Sequence, residues 1–421
     1  MACQKQNDEK QIKPSVYIVK ENSGFKLIRN GKPYYIKGGA AHPDFLEELK
    51  EAGANTARIY DTINLSEILD KAHDLGLAVA VDIPLPQYVN NPQYFEDDEY
   101  FIPMKQRVER VVKQHKDHPA LLYWNLGNEL FYPYFYKNTK FFSNFNTLID
   151  LIKELDPNHP VSTVTIGANR VRILSIHRKS PKLDFISSNS FGSLSEFEKR
   201  INPLSLVWQG PHVISEWGVN GSWEARKTSW EVPIEESSTF NAEVIKQRYY
   251  EYMEPLIQNN SLGHFIFYWG QKNENTPTWF SLFRWDGMKT QSVFELQQIW
   301  NNNNSGIYPG PKIHDFFLNG KRAKESIILL PGMVAEAQLV LPTSNPTNLE
   351  YKWEIRKESW YKDNVSEEIE IENLLGTGSN VTFTTPLEEG PYRIFIYITN
   401  GTEYFATANI PFYVLNNNDG I

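Results

Sequence analysis

An α/β fold, a (β/α)8 TIM barrel followed by a small all-β sandwich of immunoglobulin-like outline, is what the sequence predicts. Three observations predict it. Strand-like apolar runs and helical stretches alternate eight times between Tyr35 and Trp300, the count and order of such a barrel. No G-x-G-x-x-G follows the first strand and there is no phosphate loop, so the usual cargo of an open doubly wound sheet is missing. Past a run of asparagines at 301–304 the pattern changes to short alternating strands broken by Pro, Gly and Asn.

Composition narrows the function classes. A chain of 421 residues exceeds the size at which a single core splits, so a large and a small domain are expected. The hydrophobic share of 41% and charged share of 22% are those of a globular protein. A net charge of -9 supplies no basic patch for nucleic acid, and no apolar run is long enough to span a membrane. Trp, Tyr and Phe together make 14% of the chain, enough to suggest flat rings serving as platforms for the C–H faces of sugars.

Residues 1–14 read as a polar, unstructured tail. The only cysteine, Cys3, follows Met1-Ala2 and precedes a polar run, as at the processed N-terminus of a bacterial lipoprotein. A lipid anchor through Cys3 and a periplasmic or cell-surface location are expected on that basis; an incidental thiol is the plain alternative. Residues 15–300 form the barrel with an N-terminal hairpin, Val16 to Val19 against Phe25 to Ile28, and Asn30-Gly31 marks a further turn. The barrel strands are expected at 35–39, 55–60, 77–85, 121–128, 161–166, 183–190, 212–215 and 264–269. Helices are expected at 43–52, 65–75, 103–115, 140–155, 169–175, 194–201, 242–258 and 291–300. Pro43 and Pro103 sit at helix starts, and Gly53 and Gly76 at helix ends. Residues 301–310 read as a linker and 311–421 as the sandwich, with strands at 327–330, 335–341, 349–355, 381–385, 392–399 and 404–413.

Two segments share one build. Leu121 to Trp124 opens a strand that is apolar and aromatic at its start and ends in Asn128-Glu129; His212 to Ser215 ends in Glu216-Trp217-Gly218. A carboxylate at the end of a buried strand is costly unless it stands at a mouth open to solvent or ligand. In barrels of this kind the active groups lie at the C-terminal strand ends. Those ends also carry Arg58 and Tyr60, Asp82, Asn189, and Trp269 with Gln271. No His, Asp or Glu cluster has metal-ligand spacing, so neither a metal nor a cofactor is expected.

Trp124-Asn125-Leu126-Gly127-Asn128-Glu129 and Ile214-Ser215-Glu216-Trp217-Gly218, flanked by Lys116 to Ala120 and Trp269 to Lys272, resemble the acid/base and nucleophile segments of glycoside hydrolase clan A. The nearest type is the family 2 barrel, with the endo-1,3-β-glucanases that carry an immunoglobulin-like tail as the other candidate. The resemblance implies a retaining β-glycoside hydrolase with Glu129 as acid/base and Glu216 as nucleophile, about 5–5.5 Å apart. It further implies that Arg58 keeps Glu216 anionic, that Asn128 bonds the sugar 2-hydroxyl, and that Trp269 floors the reacting subsite. Tyr60, Asp82, Asn189, Trp217 and Gln271 complete the expected substrate-binding set. Asp82 either bonds a sugar hydroxyl or braces Arg58, and Trp217 is core or wall as readily as platform.

One departure stands out. Clan members place a Tyr near the sixth strand to orient the nucleophile, and Ser190-Phe191 offers no phenol there; Tyr60 or Asn189 would have to supply the contact. The expected partner is an oligo- or polysaccharide, with β-1,3-glucan favoured, acted on by a monomer. A transglycosylase, an exo-acting galactosidase or mannosidase, and a non-catalytic carbohydrate-binding barrel are the competing functions. The sandwich reads first as a structural prop against the barrel, with a carbohydrate surface through Trp353 and Trp360 as the alternative.

Overall fold

The computed structural model describes residues 15–416 apart from 23, 134–138, 205–207, 209, 259, 304, 359–366 and 370–377. The tail at 1–14 with Cys3, and Trp360, lie outside the described residues. Among those described, no helix is long and apolar enough to cross a membrane.

The chain begins with an antiparallel meander rather than a bare hairpin: β1 (Val16–Glu21), β2 (Gly24–Arg29) and β3 (Lys32–Tyr34). Asn30 and Gly31 both take positive φ, 51° and 75°, as the tight turn into β3 requires. Val16 N donates to Asn158 O, Arg29 Nη2 to Pro119 O, and Phe25 N to Asn260 Oδ1. Each of those acceptors stands just ahead of a barrel strand, so the meander closes the N-terminal end of the barrel, away from the strand ends that carry the glutamates.

Eight parallel strands follow and close in sequence order: β4 (Ile36–Ala41), β5 (Thr56–Ile59), β6 (Ala78–Ile83), β7 (Leu121–Asn128), β8 (Val161–Ile166), β9 (Phe185–Asn189), β10 (His212–Trp217) and β11 (Ser261–Trp269), which returns to β4. Most are buried on both faces, which is why their sequences run apolar without alternation. The interior is filled by side chains. A Cβ on Gly38 would lie 2.5 Å from the Phe265 ring, so the small residues of β4 leave room for the large ones of β11.

The helices differ from expectation at their ends. Helix Asp98–His115 begins ahead of Pro103, which lies inside it, and a short helix, Gln93–Glu96, precedes it. Asn169 caps helix Arg170–Lys179 by accepting from Arg172 N. Ser237 caps helix Ser238–Arg248 in the same way, and that helix passes into a π-helical turn, Tyr249–Met253.

The C-terminal strands are β12 (Asp315–Leu318), β13 (Ile327–Leu329), β14 (Val334–Val340), β15 (Glu350–Lys357), β16 (Glu367–Ile369), β17 (Asn380–Thr384), β18 (Gly390–Thr399) and β19 (Phe405–Val414). They form two sheets, β12-β14-β17 and β13-β19-β18-β15-β16, in which β12 and β16 are additions to the expected set. Leu318, Ala337, Ile355, Ile394 and Phe412 belong to the shared core between them. β14 alternates buried and exposed, whereas β18 and β19 are buried almost throughout. Their second face meets the barrel flank. Arg393 Nη2 donates to Pro233 O at 2.7 Å, Asn409 Nδ2 to Glu235 Oε2 at 2.7 Å, and Thr407 N to Ser238 Oγ at 2.9 Å. Trp353 is buried with Nε1 on Gly378 O, so it is core and no sugar platform.

Candidate active site

Arg58, on β5, is the hub of the strand ends. Its guanidinium is fully buried and every one of its nitrogens is engaged. Nε and Nη2 fork onto Asp82 at 3.2 and 2.7 Å; Nη2 also reaches Asn128 Oδ1 at 2.9 Å. Nη1 donates to Glu216 Oε1 at 2.9 Å and to Ser215 O at 3.0 Å. The fork fixes the plane of the guanidinium, and the plane fixes Glu216. The guanidinium also lies 4.4 Å from the Tyr60 ring centroid, holding that ring so its hydroxyl donates to the same Oε1 at 2.9 Å. Burial keeps the Tyr60 proton well above the usual phenol range, so the hydroxyl remains a donor. The phenol that the sixth strand lacks therefore comes from the second.

Glu129 follows β7 with φ 53°, and Gly127 before it has φ 75°. Two left-handed residues in three turn Asn128 and Glu129 out of the strand and into the mouth. Asn189, at the end of β9, donates through Nδ2 to Glu129 Oε1 at 2.8 Å and to Asn128 Oδ1 at 3.2 Å. Ser215 Oγ donates to Asn189 Oδ1 at 2.8 Å and so orients the amide. Asn128 Oδ1 is thus taken by Arg58 and Asn189, leaving its amide nitrogen free for a ligand.

Both carboxyls are pulled toward their protonated forms. Burial is the main cause at Glu216, which is pushed up to about 7; Arg58, the Tyr60 hydroxyl and Lys272 oppose it, and the charge of Glu129 adds to it. Glu129 is raised by burial too, with Glu274 adding and Asn189, Arg58 and Arg172 opposing. Each carboxylate also disfavours ionisation of the other, because like charges in one cleft repel. Glu216 accepts from a cation and a phenol, Glu129 from one amide. The donors around Glu216 thus favour its charged form more than the single amide favours that of Glu129.

The two glutamates line one cleft of about 730 Å³ together with Tyr60, Asn128, Asn189, Phe191 and Phe267. Several expected members stand elsewhere. Trp269 is fully buried, with Nε1 on Phe45 O and its ring against Phe283 and Trp300; it faces the helices, and Phe267 lies at the cleft in its place. Trp217 is also fully buried, bonded through Nε1 to His264 Nδ1. Asp82 and Arg58 are sealed beneath the cleft, where they brace Glu216 and Asn128 and are closed off from a ligand. Gln271 is half-buried and outside the lining. The aromatic reversal has a local cause. β11 breaks register against β4 between Ile266 and Trp269, and the extra residue changes which side chains face inward.

The cleft also carries residues the sequence did not single out: Arg172, Ser193, Arg200, Lys272 and Glu274. Arg172 and Arg200 stand on the short helices that follow β8 and β9, Ser193 on the helical turn after β9, and Lys272 and Glu274 on the loop after β11. All are beyond strand ends and on polar stretches that nothing in the sequence pattern sets apart. Among the described residues no group of three His, Cys, Asp or Glu could hold a metal ion.

Comparison with known proteins finds glycosidases. A β-glucuronidase of Chlorocebus aethiops is 27% identical over 225 residues, 46% of this chain and 32% of its own length. A β-galactosidase of Leuconostoc mesenteroides is 26% identical over 160 residues, 34% of this chain and 15% of its own. The chain thus spans a third or less of these relatives. The solved structure of Bacteroides uniformis β-glucuronidase 2 superposes with a TM-score of 0.52 at 18% identity, covering 95% of this chain and 48% of that one, which shows a shared fold. The family model described as glycosyl hydrolases family 2, TIM barrel domain, matches residues 46–259, just over half the chain. The strand that delivers Glu129 and the strand that delivers Glu216 both fall inside that match, and the chain belongs to glycosyl hydrolase family 2.

Proposed function

We propose that the protein hydrolyses a β-glycoside with retention of configuration. The observation that carries this is the division of labour between two glutamates in one cleft: Glu216 gripped by Arg58 and Tyr60, Glu129 held by Asn189 alone. Both donors grip Oε1 of Glu216, so Oε2 is the atom available for attack. As Oε2 bonds to the anomeric carbon, Glu129 passes its proton to the glycosidic oxygen and the aglycone leaves as an alcohol. Glu129, now a carboxylate, then takes a proton from water, whose oxygen attacks the same carbon and releases Glu216. Asn128 Nδ2 donates to the hydroxyl beside the anomeric centre, a bond that strengthens as the ring becomes oxocarbenium-like.

The sugar is a separate matter. β-1,3-Glucan, favoured by the sequence, has no support in the lining residues. The relatives are named β-glucuronidase and β-galactosidase, and Arg172, Arg200 and Lys272 line the cleft, which favours an acidic sugar. Lys272 is already paired with Glu274 at 2.9 Å, so Arg172 is the better candidate for a carboxylate. A lipid anchor through Cys3 and placement at the cell surface remain part of the proposal.

The test begins with nitrophenyl β-glucuronide, β-galactoside, β-glucoside and β-mannoside, together with laminarin. On whichever is cleaved, Glu216→Ala should lose at least about 10³-fold in kcat. Glu129→Ala should retain formation of the covalent intermediate from good leaving groups and regain turnover with azide, giving the β-glycosyl azide. Near-normal hydrolysis by Glu216→Ala, or an α-azide product, overturns the assignment. Disaccharide products at high acceptor concentration would mark a transglycosylase instead.

A further inference from the structure

Beyond the catalytic pair, the cleft wall holds an arrangement that hydrolysis of a small glycoside does not use. Three aromatic rings step outward along it. Phe267, at the reacting end, has its centroid 5.5 Å from Phe191, and Phe191 lies 5.6 Å from Trp223. Exposure rises sharply at the last step, from 6% for each Phe to 61% for Trp223. An indole left in water at the rim of a cleft is an unspent apolar surface.

Its placement is set by the surrounding chain. A Cβ on Gly221 would come within 2.3 Å of the Trp223 ring, so the indole lies directly over a residue that has none. Glu224 N donates to Gly221 O at 2.9 Å and closes the turn. Glu224 Oε2 accepts from Gly221 N at 3.1 Å and from Gly192 N at 2.8 Å, tying the turn to the loop after β9. Asn275 Nδ2 donates to Ser222 Oγ at 2.9 Å, tying it to the loop after β11. Phe191 and Phe280 support the ring from its sides. Trp285 makes a useful contrast. It is 54% exposed, but Arg284 and Lys352 lie over its ring, each 5.2 Å from the centroid. Among the described residues no cation covers Trp223, and Glu224 Oε1 has no hydrogen-bond partner.

We propose that Trp223 and Glu224 form a subsite for a second sugar ring, adjoining the one that reacts. The indole would take the C–H face of that ring, and Glu224 Oε1 would accept from one of its hydroxyls. The substrate class is then a β-linked oligosaccharide rather than the β-glycoside of a small aglycone. The proposal rests on the hydrolase assignment above for its chemistry, and on the cleft wall for its geometry.

Glycosyl fluorides separate the two, because fluoride is too small to reach Trp223. The parent is given the β-fluorides of glucose, galactose, mannose and glucuronic acid. It is then given the disaccharide of whichever is cleaved: laminaribiose, β-1,4-galactobiose, β-1,4-mannobiose or glucuronyl-β-1,3-galactose. The readout is kcat/KM on the disaccharide divided by kcat/KM on the fluoride. Trp223→Ala should lower this ratio tenfold or more, Trp223→Phe should recover part of the loss, and Trp285→Ala should leave the ratio unchanged. A smaller fall in Trp223→Ala, or an equal fall in Trp285→Ala, overturns the subsite while the hydrolase assignment stands. If no fluoride is cleaved, the hydrolase assignment falls and binding decides the subsite. In that case the same disaccharides are titrated into Glu129→Gln by calorimetry. Tenfold weaker binding in the Glu129→Gln, Trp223→Ala double variant supports the subsite; equal binding, or none to either, ends it.

Discussion

Tyr60 and Arg58 stabilise the same oxygen of Glu216, and the two contributions can be told apart by titration. The Tyr60 hydroxyl lowers the Glu216 pKa, because its bond is strongest to the charged form. Tyr60→Phe removes that bond, so the pKa rises and the acidic limb of the kcat/KM profile, which reports Glu216 losing its proton, moves to higher pH. A charge-assisted bond is worth ~1.5–3 kcal/mol, so kcat/KM at the optimum should fall about tenfold to a hundredfold. An acidic limb that stays in place or moves down would show that Tyr60 does not act on the nucleophile. At this scale the glutamates were readable in the sequence because each interrupts an apolar strand at its C-terminal end. Arg58 and Asp82 were readable for the same reason, but whether such a residue touches ligand or lies beneath it depends on depth. Depth is a property of the closed barrel and leaves no mark on one strand.

The end of β7 shows what an element contributes. Gly127 has φ 75°, and a Cβ there would meet the Leu130 side chain at 2.6 Å. Gly127→Ala therefore combines a left-handed strain of roughly 1–2 kcal/mol with a local clash, one residue before Asn128 and two before Glu129. We expect a lower Tm together with a loss of kcat of at least tenfold, measured by thermal unfolding and by turnover on the same nitrophenyl glycoside; unchanged kcat would mean the turn does not aim the acid. The eight strands and the order of the helices were legible from alternation and from Gly and Pro punctuation. Facing was not, because strands buried on both sides carry no alternation, and a register break such as that in β11 resets the phase. Pro103 misled in a different way: it read as a first-turn residue, and packing of Phe101 and Met104 draws the helix past it to Asp98.

At the scale of the whole molecule, the site is held at a cost. Glu216 is pushed up to about 7 in the fold, against an ordinary glutamate near 4.3 when unfolded. A raised acid contributes its full stability below the unfolded value and loses it as pH climbs through the folded one. Keeping Glu216 charged at pH 8 thus costs on the order of 3 kcal/mol. Glu216→Gln leaves Arg58 paired with Asp82 and removes the surplus negative charge, so its Tm should exceed the parent's by a few degrees at pH 8 and by little at pH 4. A difference that is flat or shrinks between those values, followed by calorimetry, would place the strain elsewhere.

The contact between Asn409 and Glu235 reaches further than its single hydrogen bond. Glu235 also accepts from Thr276, so one carboxylate joins the last strand of the sandwich to two loops that follow barrel strands. Those loops, at 218–237 and 270–290, include cleft residues from Trp223 to Glu274. A recombinant barrel cut at Trp300 would strip Glu235 of Asn409, uncover the apolar back of β18 and β19's docking site, and loosen the rim around bound saccharide. The two parts therefore have to be inherited, expressed and engineered as a pair, and a graft of this barrel onto another scaffold would have to bring its neighbour along.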